Sequence, residues 1–148
     1  MLQKEWLDDY ALFVVIKKYH SGIVWGEWEK SLRDRQAKGL KRINTDFRDS
    51  VEREKFLQYL FYQQWLDLKK YCNERDVALI GDIPIYVSYD SADVWTNPDI
   101  FKLTDDLKPQ FVAGVPPDYF SPTGQLWGNP VYCWDALKKS KFRWWLQR

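Results

Sequence analysis

The chain has 148 residues, the length of one domain. Its 22 Lys and Arg balance 21 Asp and Glu, giving neither the basic excess of a nucleic-acid binder nor an acidic solvating tail. One His, two Cys without metal-type spacing and only short apolar runs argue against a His/Cys zinc site and a membrane span.

The two thiols, Cys72 and Cys133, fit a reducing compartment. The N-terminal MLQKEWLDDY has acidic residues where a secretory signal needs basic and apolar regions, so a cytoplasmic location is expected. Aromatic content is unusual, at 18% with nine Trp. Three explanations compete: a ring-rich core, an interface with an absent partner, or a sugar site in which flat rings cover pyranose C–H faces.

Residues 4 to about 19 read as a helix, with Trp6, Tyr10, Phe13, Val14 and Lys17 at three-to-four spacing. His20-Ser21-Gly22 ends it. Trp25, Trp28 and Leu32 predict a shorter helix over WGEWEKSLRDR, with Gly39 marking its end. Asn44-Thr45-Asp46 offers a cap for a long helix over 47–73, whose stripe is Leu57, Leu60, Phe61, Leu68, Tyr71 and Cys72. Val77-Ala78-Leu79-Ile80 is a continuous apolar run of the kind that suits a parallel strand covered on both faces. It leads into Gly81-Asp82, and helix, turn, buried strand and polar residue is the rhythm of an α/β barrel or doubly wound sheet.

Between Ile83 and Tyr132 the text changes, and prolines gather there. Ser91-Ala92-Asp93 starts a short helix that Asn97-Pro98 stops. An irregular stretch this long inside a domain is usually functional. Asp135 to Gln147 is helical again, with Leu137, Phe142, Trp145 and Leu146 apolar. One parallel-type strand cannot close a barrel or fill a sheet, so the pattern is that of a piece of a larger enzyme. The expected division is a mostly helical part, 1–76, then strand, loop and helix over 77–148.

Asp82 stands at the strand end where such folds place active-site groups, although a lone carboxylate there also serves as a turn former. Asp90, Asp93 and Asp99 fit turn or cap roles. There is no supported Ser–His–Asp or Cys–His set, no GxGxxG and no phosphate loop. Glycoside chemistry needs two carboxylates flanking the bond, and nothing in the spacing makes Asp82 and Asp118 such a pair.

The stretch VPPDYFSPTGQLWGNPVY (115–132) reads as a loop. Gly114-Val115-Pro116-Pro117 stiffens its approach, and Gly124 and Gly128 open backbone conformations closed to other residues. Asp118, Gln125 and Asn129 set acceptors and amide donors beside Tyr119, Phe120 and Trp127. Sugars need that mix of flat apolar surface and polar forks. The competing reading is a loop pinned to its own domain by buried rings.

GDIPIYVSYDSADVW (81–95), FVAGVPPDYFSPTGQLWGNPVYCW (111–134) and FRWWLQR (142–148) resemble the 4-α-glucanotransferases, the amylomaltase or disproportionating-enzyme family, glycoside hydrolase family seventy-seven. WLDDYALF (6–13), WGEWEKSLRDR (25–35) and FLQYLFYQQW (56–65) resemble it in the same order, so the likeness covers essentially the whole chain. The resemblance implies a (β/α)8 TIM barrel with inserted subdomains, of which this α/β chain holds one or two strands, several helices and a long active-site loop. It implies cutting of an α-1,4-glucosidic bond, a covalent glucosyl intermediate, and transfer to the 4-hydroxyl of another glucan or glucose, with α-1,4-glucans as partners and no cofactor or metal.

By resemblance, Asp82 is the carboxylate of the first conserved barrel motif, near the subsite before the cleavage point. Residues 115–128 match a mobile loop over the cleft, with Asp118, Tyr119 and Phe120 near the donor sugar. Gln125, Trp127 and Asn129 line the cleft near the cleavage point. Such a cover excludes water and favours transfer over hydrolysis. The family's nucleophile motif, Arg-Ile-Asp-His-Phe-Arg, and its later acid/base Glu and third Asp do not occur in this sequence. An internal, inactive fragment that self-associates through exposed apolar faces is therefore expected. The alternatives are a non-catalytic carbohydrate-binding module and an interaction protein whose rings form an interface.

Overall fold

The computed structural model describes residues 4–148. Residues 1–3 of the acidic N-terminal stretch lie outside the described residues. The chain forms two compact units. The first comprises the residues up to Ile23 together with Glu29–Asp82, and the second Val24–Trp28 together with Ile83–Arg148.

The first unit is helical. Its elements are α1 (Lys4–Tyr19), α2 (Lys30–Arg33), α3 (Ala37–Asp46) and α4 (Arg48–Asn73). α1 packs on α4 and α3, and Ala11, Phe13, Val15 and Ile16 of α1 are buried, as are Leu32, Ile43 and Val51 in the same unit. Glu54 is buried on α4, and a buried carboxylate needs partners. Lys18 of α1 supplies one at 2.7 Å and Arg53 a second at 3.6 Å. α1 ends as His20-Ser21-Gly22 predicts: Gly22 N–H donates to Lys17 O and Ser21 N–H to Lys18 O, the two bonds of a Schellman cap.

The second unit is built on rings. A 3-10 turn, Trp25–Glu27, sets Trp25 so that its backbone N–H donates to Asp90 Oδ1 (3.3 Å) and its indole to Tyr89 O (2.7 Å). Trp28 meets Trp95 edge-on at 5.7 Å. Trp95 lies on α5 (Ala92–Thr96), which Ser91 caps by accepting from Val94 N–H. Strands β1 (Val112–Val115) and β2 (Gln125–Pro130) pair antiparallel. Helices α6 (Trp134–Lys139) and α7 (Arg143–Gln147) follow.

At the centre of this unit Tyr132 is 1% exposed. Its ring lies 5.1–5.9 Å from those of Phe101, Trp145, Trp134, Trp144 and Tyr86. Its hydroxyl donates to Ile85 O at 2.7 Å. Burial pushes the phenol up to about 12.

Several expectations are corrected. Val77–Ile80 is no strand, since none of it pairs and Ile80 is 97% exposed. A strand exists by its ladder, and no neighbour for this segment lies among the described residues. The stretch from Trp25 to Arg35 is not one helix, because Trp28 and Glu29 are extended between the 3-10 turn and α2. Gly39 does not end a helix but lies inside α3, where a Cβ would stand 2.7 Å from Ser31 O, so it lets α2 approach α3. Asn44-Thr45-Asp46 is the last turn of α3 rather than a cap, and α4 begins after Phe47, which makes no side-chain cap bond. The 115–132 loop contains β2, and the 135–147 helix is two helices, broken where Lys141 and Phe142 take positive φ. Trp6 and the stripe from Leu57 to Tyr71 are exposed, since among the described residues nothing covers that part of α4.

Tyr132 gives the fold a signature at high pH. Its pKa is raised on folding, so its contribution to stability is full below about pH 10 and falls as pH rises through about 12. In an alkaline titration followed by phenolate absorbance, Tyr132 should ionise near 12, and Tyr132→Phe should remove that step. The same substitution should cost about 1–2 kcal/mol in urea unfolding, because Ile85 O loses its donor. The absence of a step near 12 that Tyr132→Phe removes contradicts the buried placement.

Candidate functional site

The β1–β2 hairpin carries most of the predicted site. Its register pairs Val115 with Gln125 and Gly114 with Leu126, then Val112 with Pro130. Ala113 on β1 therefore faces Trp127, Gly128 and Asn129 on β2, a bulge. Gly128 makes it possible with φ of +78°, the left-handed region that favours glycine. Gly114 serves a different need: a Cβ there would stand 2.5 Å from Gln125 O, so only glycine lets the strands close.

The tip, residues 116–124, is folded by Asp118. Its Oδ1 accepts from Phe120 N–H (2.9 Å) and Ser121 N–H (2.8 Å), and its own N–H donates to Ser121 O (3.0 Å). Ser121 Oγ donates to Gly124 O at 2.7 Å. The turn leaves Tyr119 and Phe120 edge to face at 5.6 Å, 95% and 86% exposed. These rings face solvent, so the pinned-loop reading fails for the tip.

On β2, Trp127 is half exposed, and its indole N–H donates to Gln125 Oε1 at 3.0 Å. That bond fixes which way the ring faces. Asn129 Nδ2 donates to Val87 O at 2.9 Å and leaves Oδ1 as a further acceptor. The structure thus brings Gln125, Trp127 and Asn129 onto one strand and Asp118, Tyr119 and Phe120 onto the tip above it. Asp82 closes the first unit and is exposed. Asp90 and Asp93 do more than turn the chain: their carboxylates accept from Trp25 N–H and Trp144 Nε1. Among the described residues no group of three or more His, Cys, Asp or Glu could hold a metal, and no helix is long and apolar enough to cross a membrane.

A family model described as 4-alpha-glucanotransferase matches residues 2–148. The chain belongs to the 4-alpha-glucanotransferase family. It is 52% identical to the 4-alpha-glucanotransferase of Aquifex aeolicus (strain VF5) over 143 residues, covering 97% of this chain and 29% of that protein. It is 49% identical to the Synechocystis sp. protein of the same name, covering 99% of this chain and 29% of the relative. The solved structure of amylomaltase from Streptococcus agalactiae in complex with acarbose matches with a TM-score of 0.91 at 43% identity, over 97% of this chain and 29% of that one. The chain thus spans under a third of these relatives' length. Membership in a 4-alpha-glucanotransferase family over its full extent does not favour a separate carbohydrate-binding module.

Sequence reasoning missed Tyr86, whose ring meets Trp127 at 6.0 Å and stacks on Tyr132 at 5.9 Å. No spacing marks it, because its neighbours lie more than 40 residues along the chain.

The two hairpin glycines should separate. Gly114→Ala drives a Cβ into the facing backbone and should cost about 2–3 kcal/mol with loss of β1–β2 amide protection from hydrogen exchange. Gly128→Ala meets no atom within 4 Å and should cost only the backbone strain, about 1 kcal/mol, with the pairing retained. An equal loss of protection in both variants contradicts the register.

Proposed function

We propose that this chain is an internal part of a 4-alpha-glucanotransferase, and that in the whole enzyme it contributes one or two strands and flanking helices to a (β/α)8 barrel. In this reading residues 1–76 are mostly an inserted helical subdomain, and 77–148 supply barrel strand, active-site loop and helix. Val77–Ile80 becomes a strand only when parallel neighbours are present, which accounts for an apolar run without a ladder. The whole enzyme transfers an α-1,4-glucan segment to the 4-hydroxyl of another glucan or glucose by a retaining double displacement. A cytoplasmic location goes with this reading.

The observation that carries the proposal is the hairpin: Tyr119, Phe120 and Trp127 are held out to solvent beside oriented polar groups, in a chain that matches the family throughout. Tyr119 and Phe120 offer faces to the donor sugar, with Asp118 holding their turn. Trp127, oriented by Gln125, and Asn129 Oδ1 line the cleft, and Asp82 binds a sugar hydroxyl near the cleavage point. The neighbour, an amylomaltase in complex with acarbose, supports an α-glucan ligand.

This chain carries no family nucleophile motif, and in a retaining mechanism nothing replaces the nucleophile. Incubation with maltotriose should yield no glucose above the blank, and robust release would refute the assignment of Asp82 and Asp118 to binding alone. A second expectation concerns α4, where Phe56, Phe61, Leu68 and Tyr71 are each at least half exposed. Sedimentation should show concentration-dependent self-association, weakened by Phe61→Glu. A monodisperse monomer at all concentrations argues that these faces are tolerated in water.

A further inference from the structure

Segment 83–88 has no regular secondary structure, yet side chains hold its carbonyls one after another. Arg148 Nη1 donates to Pro84 O at 3.2 Å, Tyr132 Oη to Ile85 O at 2.7 Å and Asn129 Nδ2 to Val87 O at 2.9 Å. The chain bends at Ile85 and Tyr86, and these bonds hold carbonyls on either side of Tyr86.

Tyr86 sits inside this clamp. Its ring stacks on Tyr132, at 5.9 Å and 14°, and meets Trp127 at 6.0 Å and 66°. With its backbone held on both sides and its ring backed by Tyr132, it has little freedom to turn away. Among the described residues its hydroxyl makes no hydrogen bond, so a donor and acceptor stand free beside the half-exposed Trp127.

We propose that Tyr86 is a further glucan contact, and that Asn129 and Tyr132 are the residues that position it. This rests on the glucan reading above and extends it to α-linkage specificity. The inclined rings of Tyr86 and Trp127 make a corner. An α-1,4 chain curves, so the faces of successive glucosyl units are inclined to one another. A β-1,4 chain is a flat ribbon, which needs coplanar rings. Trp127 covers one glucosyl face, and the Tyr86 hydroxyl bonds a hydroxyl of the next unit.

The experiment is a fluorescence titration of this chain with maltohexaose and with cellohexaose, each variant checked for an unchanged melt. The wild-type chain should give saturable tryptophan quenching with maltohexaose and none with cellohexaose. Tyr86→Phe should weaken binding about 3–10-fold, the size of one hydrogen bond, and Tyr86→Ala more than about 10-fold. If Asn129 acts through Tyr86, Asn129→Ala and Tyr86→Phe combined should lose less than the product of their separate effects, whereas a general structural role predicts independent losses. Wild-type binding with Tyr86→Ala unchanged overturns the Tyr86 contact and leaves the glucan reading standing. Cellohexaose binding as tight as maltohexaose overturns the corner. A wild-type chain that does not respond to maltohexaose overturns the glucan reading, and the contact with it.

Discussion

The second unit depends on the burial of Tyr132 with its hydroxyl still bonded. A tyrosine buries roughly 150–250 Å², which at about 25 cal/mol per Å² is of order 4–6 kcal/mol before entropy is counted. The bond to Ile85 O adds only about 0.5–1.5 kcal/mol net. Burial therefore decides that Tyr132 is inside, and the hydrogen bond decides where the chain passes. An unbonded phenol in that ring cluster would cost more than the bond contributes, so Ile85 O has to come to it. Segment 83–88 thus gains a fixed path without belonging to a sheet. Nearby, Phe101 bridges to Tyr132, with Lys102 N–H donating to Val131 O and Cys133 N–H to Ile100 O, so the same residue is held from its backbone as well.

The first unit shows the opposite balance. The N-terminal end of α4 is fixed by Val51 and by Glu54 with its cations, while the rest has apolar residues on every side and little to bury them against. Large apolar side chains left in water on this scale mark a surface built to be covered. Val77–Ile80 continues the theme, with side chains suited to a covered strand and a backbone that has no ladder. In both places composition and exposure disagree.

Local features were legible where the chemistry is local. The stop at His20-Ser21-Gly22 and the Ser91 cap of α5 each need only a few adjacent residues, and both were readable. Asn44-Thr45-Asp46 has the composition of a cap but continues α3, because nothing within the segment distinguishes a last turn from a first one. The 115–132 stretch read as loop since Pro and Gly dominate it, yet Gly114 is what lets β2 pair. The exposed rings of the tip were legible from their setting among turn residues. Tyr86 was not, because Tyr132 and Asn129 reach its segment across 47 and 42 residues of chain.

The bulge at Gly128 connects these observations to the proposed chemistry. In a regular strand, Gln125, Trp127 and Asn129 would project from one face in sequence. Two extra residues opposite Ala113 bend β2 between Trp127 and Asn129. Trp127 then stays with Gln125 and meets Tyr86, while Asn129 reaches back to Val87 O. A straight strand would hold all three side chains in register and could not both present one ring and tie down the segment behind the other. The hairpin is therefore rigid at its root, where Asn129 and Tyr132 bond the chain. Its tip, by contrast, is held only by Asp118 and Ser121. On the proposed reading, a glucan meets the held corner of Tyr86 and Trp127 first and the tip rings second. That order suits recognition of a repeating chain, whose register is set by one fixed contact and whose length is accommodated by the rest.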